Sequence, residues 1–393
     1  STAAAATAAT ASGSVTTDAQ SATALVLANA AVTAATAATT AVAAYTTAAA
    51  ATADAADDTA AAALATTAAT QATAAAASVT SANTEVAVDR KTFTLTAAAE
   101  TIAGSAGSDA ISGTITGVNA TGSTLLPGDI INAGLGDDTL TISTAGAPGT
   151  QFTIAAIITT GVENIMFNAY DTNTITDGTI LDMSLMTGVQ KVGLLSGSAT
   201  GDIRVNEAKT MMDMSLANSA GDFYLNYPTA VTSVLLGDQT QNIALSNVSN
   251  GIVTVPGVEI VNVTTSLLKS TINDLVVNAA RTLNVYGDQN LTITQVVDMA
   301  NTTSAVVGAI DATVDASTFT GKLNFTPGAA TNDHMKITGG SGNDTINMTN
   351  GLSRYDVIDG GAGTDTITVN AVTATGFTQV TNVEITTVNA AAV

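Results

Sequence analysis

The chain has 393 residues, of which 46% are hydrophobic and only 3% aromatic, and 32 acidic against 10 basic residues give it a net charge of −22. This balance argues against a nucleic-acid partner, because few basic side chains are present to neutralise phosphates. The absence of cysteine excludes disulfides and thiolate chemistry, and Thr and Asn interrupt every long apolar run, so no membrane span is expected.

Residues 1–90 form an Ala/Thr-rich segment, and neither Gly nor Pro occurs between Ser14 and Ala103. Alanine is the best helix former, so the segment is predicted to be helical, with Thr17 and Gln20 in the spacing of a capping box. Because it holds few large apolar residues, we expect it to pack against a second copy or against the rest of the chain. A disordered or glycosylated stalk is the alternative, and both a single rod and a helical hairpin remain open.

From Thr92 onward polar and apolar residues alternate in short runs that Gly, Asn and Asp turns separate. Asp138–Ile142 and Thr282–Tyr286 are examples, and this pattern is typical of half-buried strands. The small and β-branched side chains favour narrow, regularly stacked layers over a globular core. The sequence therefore predicts a mainly β fold, a β-solenoid, after the helical segment.

A short phrase recurs in the β region, in which a turn residue is followed by Val and Glu. The three clearest copies contain Glu163, Glu259 and Glu384. No partner acid recurs at a fixed distance from these glutamates, so we predict that they pair with turn amides and are not catalytic.

Four turns match or nearly match the pattern G-G-x-G-x-D, which is a calcium-binding turn when a short strand follows it. Residues 339–344 and 360–365 match fully, while residues 104–109 and 133–138 each carry one substitution. Glycine allows positive φ, which we expect at Gly360 among others, and exposes carbonyl oxygens. Aspartate supplies the hard anionic oxygen that calcium prefers. These turns predict Ca²⁺ as a cofactor.

Three of the four key aspartates are preceded, nine residues earlier, by a second carboxylate. We expect each such pair to stack on neighbouring turns and to hold a bridging ion. The predicted metal-binding set is Glu100, Asp109, Asp129, Gly134, Gly136, Asp137, Asp138, Gly340, Gly342, Asp344, Asp356, Asp359, Gly361, Gly363 and Asp365.

With these glycine turns and the Gly-Val-Glu strands, residues 92–393 resemble the RTX-type calcium-binding surface-layer proteins of Gram-negative bacteria. The resemblance implies export, calcium-dependent folding outside the cell and self-assembly into a surface layer or filament, with a cell-surface polysaccharide as a candidate partner. The helical segment 1–90 is not part of that pattern, and the rest of the chain is predicted to divide into a first RTX-like region at 91–170, a β-solenoid at 171–330 and a second RTX-like region at 331–393.

No catalytic site is predicted. The single histidine, His334, has no partner histidines for a zinc site and no nucleophile-elbow motif. Two alternatives to a structural protein stay open: an RTX-type adhesin that binds sugars or a host surface, and the non-catalytic carrier part of a secreted enzyme.

Overall fold

A computed structural model describes residues 90–116, 122–145, 152–154, 156–170, 178–228, 238–300, 309–328, 334–348, 352–369 and 376–388. The predicted helix over 1–90 lies outside these residues, apart from Arg90. Within them no helix is long and apolar enough to cross a membrane.

The described chain is mainly β. Its elements are β1 (Thr92–Thr94), β2 (Thr101–Ser105), β3 (Ala110–Thr116), β4 (Ile130–Gly134), β5 (Thr139–Ala145), β6 (Phe152–Ile154), β7 (Ile158–Thr160), β8 (Asn164–Ala169), β9 (Thr179–Asp182), β10 (Lys191–Gly197), β11 (Ile203–Asn206), β12 (Asp213–Ala217), β13 (Phe223–Leu225), β14 (Thr240–Ser246), β15 (Ile252–Thr254), β16 (Ile260–Thr265), β17 (Ser270–Ile272), β18 (Asp274–Val276), β19 (Thr282–Gly287), β20 (Leu291–Asp298), β21 (Ala312–Asp315), β22 (Leu323–Gly328), β23 (Met335–Thr338), β24 (Thr345–Met348), β25 (Val357–Asp359), β26 (Thr366–Val369), the 3₁₀ turn η1 (Gly376–Gln379), β27 (Val380–Thr381) and β28 (Ile385–Val388).

Two long parallel sheets run the length of this region. The first has 13 strands in the order β1-β3-β5-β8-β10-β12-β14-β16-β19-β21-β23-β25-β27, and the second has 12, from β6 to β28. A third sheet, β2-β4-β7, accompanies the first part of the chain. Successive strands in the chain alternate between sheets, except that β17 and β18 both belong to the 12-stranded sheet, and each strand pairs with a strand about one pass away. This arrangement is compatible with a β-solenoid, and we call one pass through the sheets a coil.

The alternation seen in the sequence sets the burial. In β5 every second residue is buried, Leu140 and Ile142 completely, while Thr139, Thr141 and Ser143 are half-buried. Side chains of this inward set form one continuous hydrophobic core from Leu95 to Val369. Both long sheets continue through the predicted boundaries near residues 170 and 330, because strands before each boundary pair with strands after it. The division into regions stays a prediction.

Candidate functional site

Carboxylates stack in a column at the start of the 13-stranded sheet. Asp109, Asp138 and Glu163 each directly precede a strand, and the register β3–β5–β8 places them on three successive coils. Each accepts a hydrogen bond from a backbone N–H of the coil before it. Asp109 Oδ1 accepts from Lys91 N at 2.6 Å, Asp138 Oδ1 from Asp109 N at 2.6 Å, and Glu163 Oε2 from Asp138 N at 2.8 Å.

A second column of the same composition lies at the other end of the chain, before strands of the 12-stranded sheet. Asp344 Oδ1 accepts from Leu323 N at 2.8 Å, Asp365 Oδ1 from Asp344 N at 2.7 Å, and Glu384 Oε2 from Asp365 N at 2.7 Å. The order Asp–Asp–Glu and the direction of the bonds repeat those of the first column. The two ends of the described region therefore carry the same hydrogen-bonded Asp–Asp–Glu arrangement.

The middle aspartate of each column has an oxygen without a partner. Asp138 is 0% exposed and Asp365 is 1% exposed, and the Oδ2 atom of each has no hydrogen-bond partner in the described part of the chain. Such a buried anionic oxygen is costly unless a cation or a proton neutralises it.

The electrostatics of both positions reflect this deficit. Burial raises the pKa of Asp138 to about 7, and repulsion from Glu163, Asp109 and Asp137 adds to the rise. Burial likewise raises the pKa of Asp365, with repulsion from Asp344 and Glu384. Negative charge is thus concentrated where no basic side chain contributes to either pKa.

Four other predicted ligands already use both carboxylate oxygens. Asp109 Oδ2 accepts from Ser105 N, and Asp344 Oδ2 accepts from Gly340 N. Asp129 accepts from Glu100 N and Leu126 N. Asp356 does the same with the backbone N–H groups of Met335 and Ser353. In these positions the carboxylate closes a turn and ties it to the neighbouring coil.

The prediction that carboxylates nine residues apart stack on neighbouring turns is wrong. Asp356 precedes β25 in the 13-stranded sheet, whereas Asp365 precedes β26 in the 12-stranded sheet. Nine residues lead from one corner of a coil to the next corner, because equivalent positions such as Thr345 and Thr366 are one full coil apart. The stacked pairs are Asp109 with Asp138, Asp344 with Asp365, and Glu100 with Asp129.

The remaining predicted carboxylates lie nearer the surface. Glu100 accepts from the backbone N–H and hydroxyl of Thr96. The exposed Asp137 accepts from Asn164 Nδ2 at 2.6 Å, and Asp359 accepts from Gly361 N and Asn382 Nδ2.

Glycine is required in these turns for two different reasons. Gly361 and Gly363 have φ of +92° and +128°, and Gly134 and Gly136 have +104° and +131°. The expectation of positive φ is wrong for Gly360, where a Cβ would instead lie 1.9 Å from Asn382 O. Gly340 and Gly342 are also held by close approach, to Phe319 O and Gly321 O. Stacked turns pass so closely that their carbonyl oxygens face the next coil.

The glutamates of the recurring phrase accept hydrogen bonds from backbone amides, as predicted. Glu163 and Glu384 end the two columns, and Glu259 Oε2 accepts from Gln239 N at 2.9 Å in the middle of the chain. Sequence reasoning missed that two of them share a column with the key aspartates. It also missed Asp202 and Asp222, which accept from the next coil at Asp222 N and Ile252 N, because no glycine pattern marks them.

The side chains alone do not form a metal cage. Among the residues that the structure describes, no three His, Cys, Asp or Glu side chains converge on one point. An ion at either column would have to combine the unpartnered aspartate oxygen with backbone carbonyls of the glycine turns, which is an oxygen-only set of the kind calcium takes. Comparisons with family models, curated proteins and solved structures gave no match.

Proposed function

We propose that this chain is a non-enzymatic extracellular structural protein, a calcium-dependent β-solenoid that self-assembles into a surface layer or filament. The observation that carries the proposal is the pair of Asp–Asp–Glu columns, each with one buried carboxylate oxygen that has no partner among the described residues. The net charge of −22 and the low calcium of the cytosol would disfavour folding before export, and external calcium would offset both costs.

Asp138 and Asp365 would hold the ions, and Asp109, Asp344, Glu163 and Glu384 would tie the neighbouring coils to them. Bound calcium would supply positive charge where the pKa of Asp138 is raised to about 7 by burial and acidic neighbours. Its contribution is structural, because it would join coils that otherwise repel each other.

Assembly is supported by the shape of the fold. Regular parallel sheets leave unpaired strand edges and large uniform faces, which favour association between copies. The 13-stranded sheet carries a row of amides on its outer side, where Asn262 Nδ2 donates to Asn242 Oδ1 and Asn284 Nδ2 donates to Asn262 Oδ1, both at 2.9 Å.

Electron microscopy and circular dichroism with calcium and with a chelator test the proposal. We expect ordered assemblies and a full β signal in calcium, and loss of both after chelation. Unchanged assemblies and spectra after chelation would refute calcium dependence, and a folded monomer at every calcium concentration would refute the structural role.

One surface feature supports a second candidate, a sugar-binding adhesin. A groove of about 250 Å³ on the outer face of the 13-stranded sheet is lined by Asp213, Asn242, Asn262, Thr264 and Tyr286 among others. Amides and a partly exposed aromatic ring suit a saccharide. Binding of neutral oligosaccharides that Tyr286→Ala abolishes would favour this candidate, whereas equal behaviour of both proteins would remove it.

A further inference from the structure

One turn of the solenoid holds a bulky apolar residue in a left-handed backbone conformation. Asn218, Asn247 and Leu267 occupy the same corner of three successive coils, as the registers of β12, β14 and β16 show. Their φ angles are 46°, 56° and 61°. Asparagine tolerates this left-handed conformation, whereas for a bulky apolar residue it is unfavourable.

The two asparagines use their side chains in the corner. Asn247 Nδ2 donates to Asn218 Oδ1 at 3.0 Å, and Asn218 Nδ2 donates to Leu195 O at 3.4 Å. Leu267 cannot continue this row, and it is 81% exposed, while the next residue, Leu268, is 53% exposed. Backbone strain of this kind is typical of a functional position. We call Leu267, Leu268 and the exposed Lys269 the leucine turn.

A matching apolar surface lies on the third sheet. Ile130 pairs with Ile158, and the bridge between Thr159 and Met186 places Leu185 beside Ile158 on the next coil. These three outward side chains are 42%, 44% and 49% exposed. We call them the apolar stripe. Strands β2, β4 and β7 contain no charged residue, so these strands add no charge to this face of a strongly acidic protein.

The two features face away from each other. Each early coil passes from the third sheet to the 13-stranded sheet and then to the 12-stranded sheet. The leucine turn follows β16 of the 13-stranded sheet and precedes β17, which pairs with the 12-stranded sheet. It therefore lies at the corner between the two long sheets, across the coil from the side that carries the apolar stripe.

We propose that the leucine turn of one copy packs on the apolar stripe of a second copy. The inference rests on the proposed self-assembly and assigns its lateral contact. Two different surfaces on opposite sides of the molecule make a head-to-tail contact that need not close, and such contacts generate open arrays.

Charge favours the same pairing. Two copies of a chain with net charge −22 repel each other, and the leucine turn ends in Lys269, one of only 10 basic residues. Glu100 directly precedes Thr101, the residue that pairs with Ile130 of the stripe. At the other end of the stripe the Nζ of Lys209 donates to Ser184 O. Lys269 is therefore expected to lie toward Glu100.

The absence of native cysteine allows a direct test. Ile158→Cys and Leu268→Cys variants are prepared separately, mixed in calcium and oxidised. We expect a disulfide-linked dimer in the mixture and in neither variant alone. Leu268→Cys mixed with Ala244→Cys, which lies exposed on the 13-stranded sheet, is the matched control and should give none. Equal cross-linking in both mixtures would overturn the pairing.

A second variant separates this inference from the function on which it rests. Leu267→Asn restores the residue type of the two preceding coils, so it should raise the melting temperature and yet lower the assembled fraction by about tenfold. If the unaltered protein does not assemble, the proposed function fails and this contact with it. If it assembles and Leu267→Asn assembles equally well, only the contact fails. If Leu267→Asn loses assembly but the mixture of Ile158→Cys and Leu268→Cys gives no disulfide-linked dimer, the stripe is overturned as the partner surface.

Discussion

Replacement of Asp138 by asparagine should have opposite effects on stability with and without calcium. The side chain keeps its shape, and its Oδ1 can still accept from Asp109 N, which lies 2.6 Å away. What it loses is the negative charge on a fully buried carboxylate whose Oδ2 has no partner in the described region.

The size of the effect follows from the raised pKa. A shift of the pKa of Asp138 from 3.8 to about 7 destabilises the calcium-free fold at neutral pH by up to ~4 kcal/mol, at about 1.4 kcal/mol per pH unit. The weaker hydrogen bond of a neutral amide and the screening of charge by nearby solvent together offset about 1–2 kcal/mol of the gain. In chelator, Asp138→Asn should therefore raise the free energy of unfolding by ~2–3 kcal/mol. Calcium should stabilise the variant little further, whereas it stabilises the unaltered protein, which should then be the more stable of the two in calcium.

Asp129→Asn is the matched control. Asp129 is equally buried, at 1% exposure, but its two oxygens accept from Glu100 N and Leu126 N. An amide there turns an NH₂ group toward a backbone donor, which should cost about 1–3 kcal/mol with or without calcium. Urea unfolding followed by circular dichroism, in calcium and in chelator, measures all four values. If Asp138→Asn changes the free energy of unfolding by the same amount in both buffers, its carboxylate is not a calcium ligand.

Three further outcomes follow from the same geometry. Because the folded-state pKa of Asp138 is raised, the calcium-free protein should lose stability as pH rises from about 4 to about 7. Thermal melts across this pH range measure the loss, and a melting temperature that does not change with pH would contradict the prediction. Gly361→Ala places a Cβ 2.1 Å from Gly340 O and should lower the free energy of unfolding by ~3 kcal/mol or more. Gly122→Ala has a similar φ, but the nearest atoms to its Cβ are 3.7 Å away, so it should lower it by only ~1–2 kcal/mol. Equal losses in the two variants would show that the coils can separate. Glu384→Ala leaves Asp365 N unpaired and should lower the free energy of unfolding by about 1–3 kcal/mol, whereas Glu384→Gln keeps an acceptor and should lower it less. Glu259→Ala, far from either column, is the control and should not change the calcium dependence of stability.

Sequence periodicity was sufficient to predict the strands. The alternation of polar and apolar residues, as in Thr139–Thr141, predicts which side chains enter the core, and the repeated glycine turns indicate stacked layers. The pairing of Glu163 with a turn amide also follows from the residue types, because a carboxylate next to a turn has unpaired N–H groups within reach.

The composition of the columns could not be predicted, because it depends on the length of each coil. Asp109 and Asp138 are 29 positions apart in the chain, and Asp344 and Asp365 are 21 apart. Coils of unequal length hide the stacking from any search at a fixed period, and a nine-residue spacing, which looks like a repeat, joins two corners of one coil. The strain at Leu267 was likewise invisible, because only the register aligns it with Asn218 and Asn247.

The position of the two columns predicts that calcium acts locally. Between them Asp202 stacks on Asp222, but both oxygens of Asp222 accept hydrogen bonds, from Ile252 N and from the Tyr224 hydroxyl, and other coils are joined through backbone groups. For example, Gln190 N donates to Glu163 O, and Asp213 N donates to Gln190 O. Chelation should therefore open the terminal coils first and leave the centre folded. Hydrogen exchange in chelator should lose protection at Ile111 and Ile367 before Val263, although all three are buried in the same core. Simultaneous loss at all three would mean that calcium controls the solenoid as one cooperative unit and that the columns are not local clasps.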